Sequence, residues 1–255
     1  MIADNRKKRI SDLIKKDGTV KVAELSRLFE VSEVTIRNDL ADMESKGLLS
    51  RVHGGAISSY KPYYSMDLSQ RLEINQTEKA SIAKKIASMI EPNDTVMLNS
   101  GTTTLLVFRS FPSDYNLNIV TNSIAIALEA SVNPNYNIIL VGGSINTKYQ
   151  FSYGTDAINQ LRNYHADKLI LSVDGIDAVH GFTTFYDKEA EIDKTMIEQS
   201  SCRIIAADHS KFHRRTFVKI SDLSIADRIV TNAALDEEMK KIFDKYNIET
   251  VICKN

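Results

Sequence analysis

Val96-Met97-Leu98-Asn99-Ser100-Gly101-Thr102-Thr103-Thr104 sets a short apolar run against a loop of small, hydroxylated residues, with helical sequence resuming near Leu105. A strand whose residues do not alternate in polarity suits burial on both faces, as in a parallel sheet covered by helices. The loop suits an anion, because unpaired N–H groups and the dipole of a helix start point at it and the hydroxyls add hydrogen bonds. No Gly-Lys-Ser/Thr follows, so it is not a P-loop for ATP or GTP. Ser100, Gly101, Thr102, Thr103 and Thr104 form the first candidate effector-binding group.

The same grammar repeats downstream. Apolar runs recur at Ile119-Val120, Ile138–Val141, Leu169–Val173, Ile204–Ala207, Ile229-Val230 and Val251-Ile252, separated by helical segments. Three of these runs end in Thr121-Asn122-Ser123, Gly142-Gly143-Ser144 and Asp174-Gly175-Ile176-Asp177. Open α/β sheets bind ligands at the carboxyl ends of their strands, which adds Asn122, Gly142, Gly143, Asp174, Gly175 and Asp177 to the candidates. Asp174 and Asp177 suit sugar hydroxyls and Lys211 a phosphate, while Glu189, at the start of the helix carrying Met196 and Ile197, offers a second carboxylate. The reading is an α/β domain with a mostly parallel sheet over residues 75–255, opened by a helix near Thr77 whose Ile82 and Ile86 share a face.

Upstream the pattern is different. Ile10, Leu13 and Ile14 stripe a first helix that stops at Asp17-Gly18, and Val22, Leu25 and Leu28-Phe29 a second. Ser32 is placed to cap a third, in which Ile36, Leu40 and Met43 lie within about 40° of one another at 100° per residue, before Lys46-Gly47 ends it. Leu48–Ala56 alternates and closes on paired glycines, a strand-turn signal. Residues 1–56 are therefore read as a winged helix-turn-helix, with a Pro-containing linker at 57–74. Val34, Asn38 and Ala41 face away from the apolar stripe and Thr35 and Arg37 flank it. Asn38 suits adenine and Arg37 guanine or phosphate, while Lys21, Arg51 and His53 suit backbone phosphates.

Composition neither advertises nor forbids this. The 255 residues are 43% hydrophobic and 25% charged, with 32 Lys and Arg against 33 Asp and Glu. Residues 1–55 hold 11 cations and 9 acids, a slight basic bias. Cys202 and Cys253 are too few for a disulfide framework or a cysteine zinc site, and His209 and His213 lack a third ligand, so no metal and no cofactor is expected. There is no secretory signal and no run of the ~18–20 apolar residues that cross a bilayer, which points to the cytoplasm.

Val31–Leu40 (VSEVTIRNDL) joined to Arg51-Val52-His53-Gly54-Gly55-Ala56 closely resembles the amino-terminal signature of the DeoR family of bacterial transcription regulators. The resemblance continues through Glu78-Lys79, Ser100–Thr103, Val120–Ser123, Gly142-Gly143, Asp174–Asp177, Glu189-Ala190 and Asp208–Phe212. It implies a sensor domain related to ribose-5-phosphate isomerase and coenzyme A transferases, a phosphorylated sugar as effector, operator DNA as partner, and repression of sugar or sugar-alcohol genes. A dimer or tetramer is expected from half-site geometry. Two positions depart from the family: Asn38, where a second arginine is usual, and Asn99, where aspartate is usual. The rival reading is a sugar-phosphate isomerase, which needs a carboxylate and a cation around an enediolate. Those isomerases carry a lysine between the Asp-Gly-x-Asp turn and the later glutamate; here that interval offers only Lys188. Binding without turnover, with no catalytic residue, is the expectation.

Overall fold

The computed structural model describes residues 3–17, 19–45, 48–52, 54–57, 66–232 and 234–253. Gly47, His53 and residues 58–65, read above as helix stop, wing contact and linker, lie outside these. The chain divides into two units, residues 1–66 and 67–255.

The first unit runs α1 (Ala3–Asp17), β1 (Thr19–Lys21), α2 (Val22–Phe29), α3 (Glu33–Ser45), β2 (Ser50–Val52) and β3 (Gly55–Ile57). The apolar stripes meet as expected: Ile10, Ile14, Val22, Leu25, Ile36, Leu40 and Met43 are all buried in one cluster. Glu30 ends α2 in the left-handed conformation usually left to glycine, and the Thr35 N–H donates to the Ser32 hydroxyl at 3.1 Å. The sequence reading had no strand at β1, which is too short to show alternation. It pairs with β3, which lies between β1 and β2. Gly55 permits that pairing, since a Cβ there would sit 2.1 Å from the Val20 carbonyl oxygen.

A buried ion pair fastens α1 to the inner face of α3: Arg6 Nε donates to Asp39 Oδ2 at 2.5 Å, with both side chains under a tenth exposed. Removing one partner of such a pair strands the other charge, at a cost of about 3–5 kcal/mol, whereas replacing both with apolar residues is close to neutral. Arg6→Met is therefore expected to lower the unit's thermal midpoint sharply, and Arg6→Met with Asp39→Leu to recover most of the loss in the same melting experiment. A double variant no more stable than the single one would show that the pair contributes in another way.

The second unit opens with α4 (Leu68–Glu73) and α5 (Gln76–Ala87). It continues β4 (Thr95–Leu98), α6 (Thr102–Arg109), β5 (Leu117–Thr121), α7 (Ile124–Ala130), β6 (Tyr136–Leu140), β7 (Ser144–Asn146), β8 (Phe151–Tyr153), α8 (Thr155–Leu161) and β9 (Ala166–Ser172). Then follow β10 (Gly175–Asp177), β11 (Gly181–Thr184), α9 (Asp187–Glu198), β12 (Ser200–Ala206), β13 (Val218–Ser221), β14 (Arg228–Thr231), α10 (Glu237–Lys245) and β15 (Glu249–Ile252). No described helix is long and apolar enough to cross a membrane.

Seven strands form one sheet in the order β6-β5-β4-β9-β12-β14-β15, every pair parallel. They are the seven apolar runs of the sequence. Val96, Leu98 and Ile170 join the core on one face, Met97, Leu169 and Leu171 the core on the other. Both faces are dry, so polarity does not alternate. The chain builds outward from β4 to β6, then returns to place β9 against the other side of β4. That reversal between β4 and β9 is a topological switch point, with a crevice outside the carboxyl ends of the strands.

Three local expectations need correction. The helix after the small-residue loop starts at Thr102, not near Leu105: the Leu105 N–H donates to the Gly101 carbonyl at 3.0 Å, and the Thr104 hydroxyl folds back on the Asn99 and Gly101 carbonyls. Threonine's low helix propensity concealed that first turn. Residues 68–73, assigned above to the linker, are the helix α4, started by a capping box between Asp67 and Gln70 and anchored by buried Leu68. Gly175–Asp177, read as a loop, is strand β10 in a small antiparallel sheet ordered β10-β11-β13.

Candidate functional site

On α3 the outward face is as open as its composition suggests. Val34 is 61% exposed, Arg37 and Asn38 are exposed, and Thr35 is half-buried. The candidate cations each lean on a surface carboxylate. Arg37 Nη2 meets Glu33 at 2.5 Å one turn back, Lys21 meets Glu24 at 3.3 Å, and Arg51 donates its Nε to Glu44 at 2.7 Å. Arg51 also donates its backbone N–H to Glu44, and these two bonds hold that carboxyl below its usual range. They tie strand β2 to α3. Exposed pairs of this kind are worth about 0–1 kcal/mol, so they hold these cations in place only weakly. Ser32 spends its hydroxyl on the helix start, bonded to Thr35.

At the switch point of the second unit, Asn99 laces three elements together. Its Nδ2 donates to the Ser172 carbonyl of β9 and to Asp193 of α9, both at 3.0 Å, while its Oδ1 accepts from the Ser172 N–H at 3.0 Å. An ionised aspartate could make neither donation. Beside it, Ser100 Oγ donates to Glu189 Oε1 at 3.0 Å. The Thr184 hydroxyl lies 2.8 Å from Glu189 Oε2 and 3.2 Å from Asp174 Oδ2. Asp174 also accepts from the Phe185 N–H at 3.1 Å and from Arg71 Nη2 at 3.3 Å. No side chain caps the first turn of α6, leaving its amides directed at the crevice.

Charge in this crevice is unevenly shared. Burial drives Asp174 upward, but Arg71, Lys211 and Arg214 together outweigh it and hold the carboxyl below its usual range. Asp208 is likewise raised by burial yet held low by Lys211, Ser210 and Lys79. Glu189 is less well escorted: burial first and the charge of Asp174 second outweigh Thr184, Arg71 and Ser100 and push it up to about 7. Burial and neighbouring Glu189 raise Asp193 well above the carboxylate range, and its Oδ2 has no hydrogen-bond partner. The crevice thus gathers Arg71, Lys79, Lys211 and Arg214 about Asp174 and Asp208, which are held toward the ionised form, while Glu189 and Asp193 are held toward the protonated one.

The sequence-chosen residues divide accordingly. Ser100, Asp174, Glu189 and Lys211 join one cluster, with Gly101, Thr102 and Thr103 at the adjoining helix start. Asn122 is fully buried at the end of β5, its Nδ2 donating to the Ser152 carbonyl at 3.3 Å and its Oδ1 without a partner. Thr104 spends its hydroxyl inside its own loop. The Gly142 N–H donates to Gln160 Oε1 at 2.9 Å, and Gly143, at φ +146°, packs so tightly that a Cβ would lie 2.4 Å from the Tyr153 carbonyl oxygen. Asp177 closes its own hairpin turn, accepting from the Val179 and His180 N–H groups at 3.0 and 2.8 Å and lying 2.7 Å from His180 Nδ1. Gly175 lies where a Cβ would meet the Arg214 carbonyl oxygen at 2.4 Å. Arg71, Lys79, Asp193 and Arg214 were missed. Two left a signal: Asp193 stands one helical turn after Glu189, and Lys79 lies in the Glu78-Lys79 segment of the family resemblance. Among the described residues, no three His, Cys, Asp or Glu side chains gather as a metal site.

Two family models match the chain: a DeoR-like helix-turn-helix domain over residues 6–61 and a DeoR C terminal sensor domain over residues 74–233. Similar full-length proteins include three from Bacillus subtilis. The uncharacterized HTH-type transcriptional regulator YulB is 34% identical over 96% of this chain and 95% of its own. The HTH-type transcriptional regulator IolR is 31% identical over 95% and 96%, and the HTH-type transcriptional repressor GlcR 29% over 99% and 97%. Among solved structures, ribose 5-phosphate isomerase A from Methanocaldococcus jannaschii aligns at a TM-score of 0.40 and 14% identity, over 54% of this chain and 55% of that one. The eIF2B delta subunit from Chaetomium thermophilum aligns at 0.45 and 12%, over 62% and 56%.

Proposed function

Starting from the fact that the chain belongs to the DeoR family of transcription regulators, we propose that it represses genes for the uptake or breakdown of a sugar or sugar alcohol, with its hold on operator DNA set by a phosphorylated sugar. The observation that carries this reading is the gathering of three cations, Arg71, Lys211 and Arg214, around the single carboxylate of Asp174, at a switch point and beside the uncapped start of α6. A buried cluster whose cations exceed its charged acids is completed by an anion, and a phosphate monoester carries about −1.5 to −2 at pH 7. In this arrangement the α6 loop and Lys211, Arg214 or Arg71 take the phosphate, while Asp174 and Glu189 accept from sugar hydroxyls. Val34, Arg37 and Asn38 read the groove, and Lys21 and Arg51 hold phosphates. A dimer or tetramer presents two such heads at half-site spacing.

The isomerase reading gains nothing from the geometry. Lys188, the sole lysine between the turn and Glu189, is half-exposed and 3.7 Å from Asp187. The chain is a regulator, not an enzyme.

The test is a thermal-shift screen of ribose 5-phosphate, glucose 6-phosphate, fructose 1-phosphate and glycerol 3-phosphate against their unphosphorylated parents. It is followed by gel shift on an operator selected from random-sequence DNA. A ligand present at about 100 times its Kd stabilises the native state by about 2.7 kcal/mol, a readily measured shift. A chain whose midpoint and operator affinity ignore every phosphorylated compound would refute the proposal.

Acidity adds a second check. A dianion beside Glu189 favours the protonated carboxyl, so binding above pH 7 requires proton uptake. The group's folded value lies above its unfolded one, so its protonated form persists to about 7. Affinity is expected to fall toward about tenfold per pH unit above that point, and Glu189→Gln to flatten the decline. Calorimetric titration across the neutral range reads both slopes; parallel slopes would separate Glu189 from the ligand.

A further inference from the structure

The helix α4 is an unusual element. Six residues are too few to be helical on their own strength, since nucleation is costly and short helices depend on packing. Its described apolar anchorage is modest: Leu68 is buried and Leu72 packs partly against the core. Its polar anchorage runs instead into the crevice. The Arg71 guanidinium meets Asp174 at 3.3 Å and lies over the Tyr149 ring, 5.1 Å from its centroid. The Arg71 carbonyl accepts from Lys79 Nζ at 2.7 Å, and Lys79 is one of the charges that hold Asp208 down. Just beyond its carboxyl end, Asn75 Nδ2 donates to Asp208 at 3.1 Å. Helix α4 is thus fastened to the cation cluster at three points. It is also the first element after residue 66, where the DNA-binding unit ends.

We propose that Arg71 is the relay between effector and DNA: its ion pair with Asp174 fixes α4 in the effector-free chain, and an anionic phosphorylated ligand draws the guanidinium away and shifts the helix joined to the linker. The relay rests on the effector reading above for its ligand. Arginine is suited to the exchange, because a phosphate offers its planar fork a bidentate partner of greater charge than Asp174. The energy that moves α4 is then the difference between those two pairings, which is the differential affinity any ligand-driven switch requires. In this scheme Arg71 is both a ligand contact and the anchor of α4, and Lys211 and Arg214 retain the phosphate, more weakly, when it is replaced.

The experiment uses the full chain, with Arg71→Met, Asp174→Asn and the double variant, and begins with no ligand present. Each single variant is expected to change operator affinity by at least about fivefold in one shared direction, with the double variant no further displaced than either single one. Amides of residues 67–73 should exchange hydrogen faster in each. With millimolar inorganic phosphate as probe, Arg71→Met should still show a thermal shift, smaller than that of the wild type because one phosphate contact is lost, while its operator affinity no longer responds at phosphate concentrations that saturate the shift. Single variants that leave operator affinity and amide exchange unchanged, or whose effects multiply in the double variant, overturn the relay. So does an Arg71→Met chain whose operator affinity still responds to phosphate as the wild type does. A wild type that ignores phosphate and every sugar phosphate refutes the effector reading instead, and the ligand-free cycle still decides the relay.

Discussion

Arg37→Ala is expected to weaken operator binding by about 1–3 kcal/mol for each head, roughly 5- to 150-fold, while leaving the thermal midpoint close to that of the parent. The two halves of that expectation come from one geometry. Arg37 is exposed on the flank of α3 and its recorded ion pair is with Glu33, one turn away. An exposed pair at that spacing contributes about 0.3–0.5 kcal/mol, so the fold loses little. DNA loses a cation that alanine cannot replace. Gel-shift titration at fixed salt measures the first half and differential scanning calorimetry the second. Unchanged operator affinity would remove Arg37 from the reading face. A melting point that fell with it would make the side chain structural.

Gly175→Ala should act from the opposite side, through the core. A Cβ at this position would lie 2.4 Å from the Arg214 carbonyl oxygen and 2.6 Å from Thr183 Oγ1. The first of these is backbone and cannot rotate away. Overpacking of that severity costs about 1–3 kcal/mol or more, and here strand β10 must separate from the segment carrying Arg214. Asp174, immediately before, would lose part of the positive surround that keeps it ionised. Loss of stability by chemical denaturation and loss of sugar-phosphate response in the same variant are expected together. A fully stable Gly175→Ala chain that still responds would show that Arg214 is held by other means.

What could be seen in the sequence follows from where solvent lies. The central strands of the large sheet announce themselves because both of their faces are buried, so Val96-Met97-Leu98 or Leu169-Ile170-Leu171 reads as unbroken apolar sequence. The third helix is equally plain, since Ile36, Leu40 and Met43 pack inward while Asn38 stays out. The short elements leave no such trace. Strands of three or four residues, such as β1, β10 and β11, carry less than two periods of alternation, and α4 is under two turns. Family motifs identified Asp174 and Glu189 by their neighbours. Among the residues that set their charge states, Arg71 and Arg214 arrive from distant segments, and only packing brings them together. Asp177 sits in the same motif as Asp174, yet its carboxylate closes its own turn, a difference the motif does not show.

The central position of β4 governs how the nascent polypeptide is made. One neighbour, β5, follows after a single helix and pairs Thr95 with Asn118, but the other, β9, pairs Val96 with Lys168. Throughout synthesis of the intervening stretch, β4 leaves the ribosome with an open, apolar hydrogen-bonding edge, the kind of surface that recruits other strands into aggregates. Truncated chains ending before β9 should therefore be insoluble and dependent on chaperones. The amino-terminal unit, whose pairings are all local, is complete long before the remainder has folded.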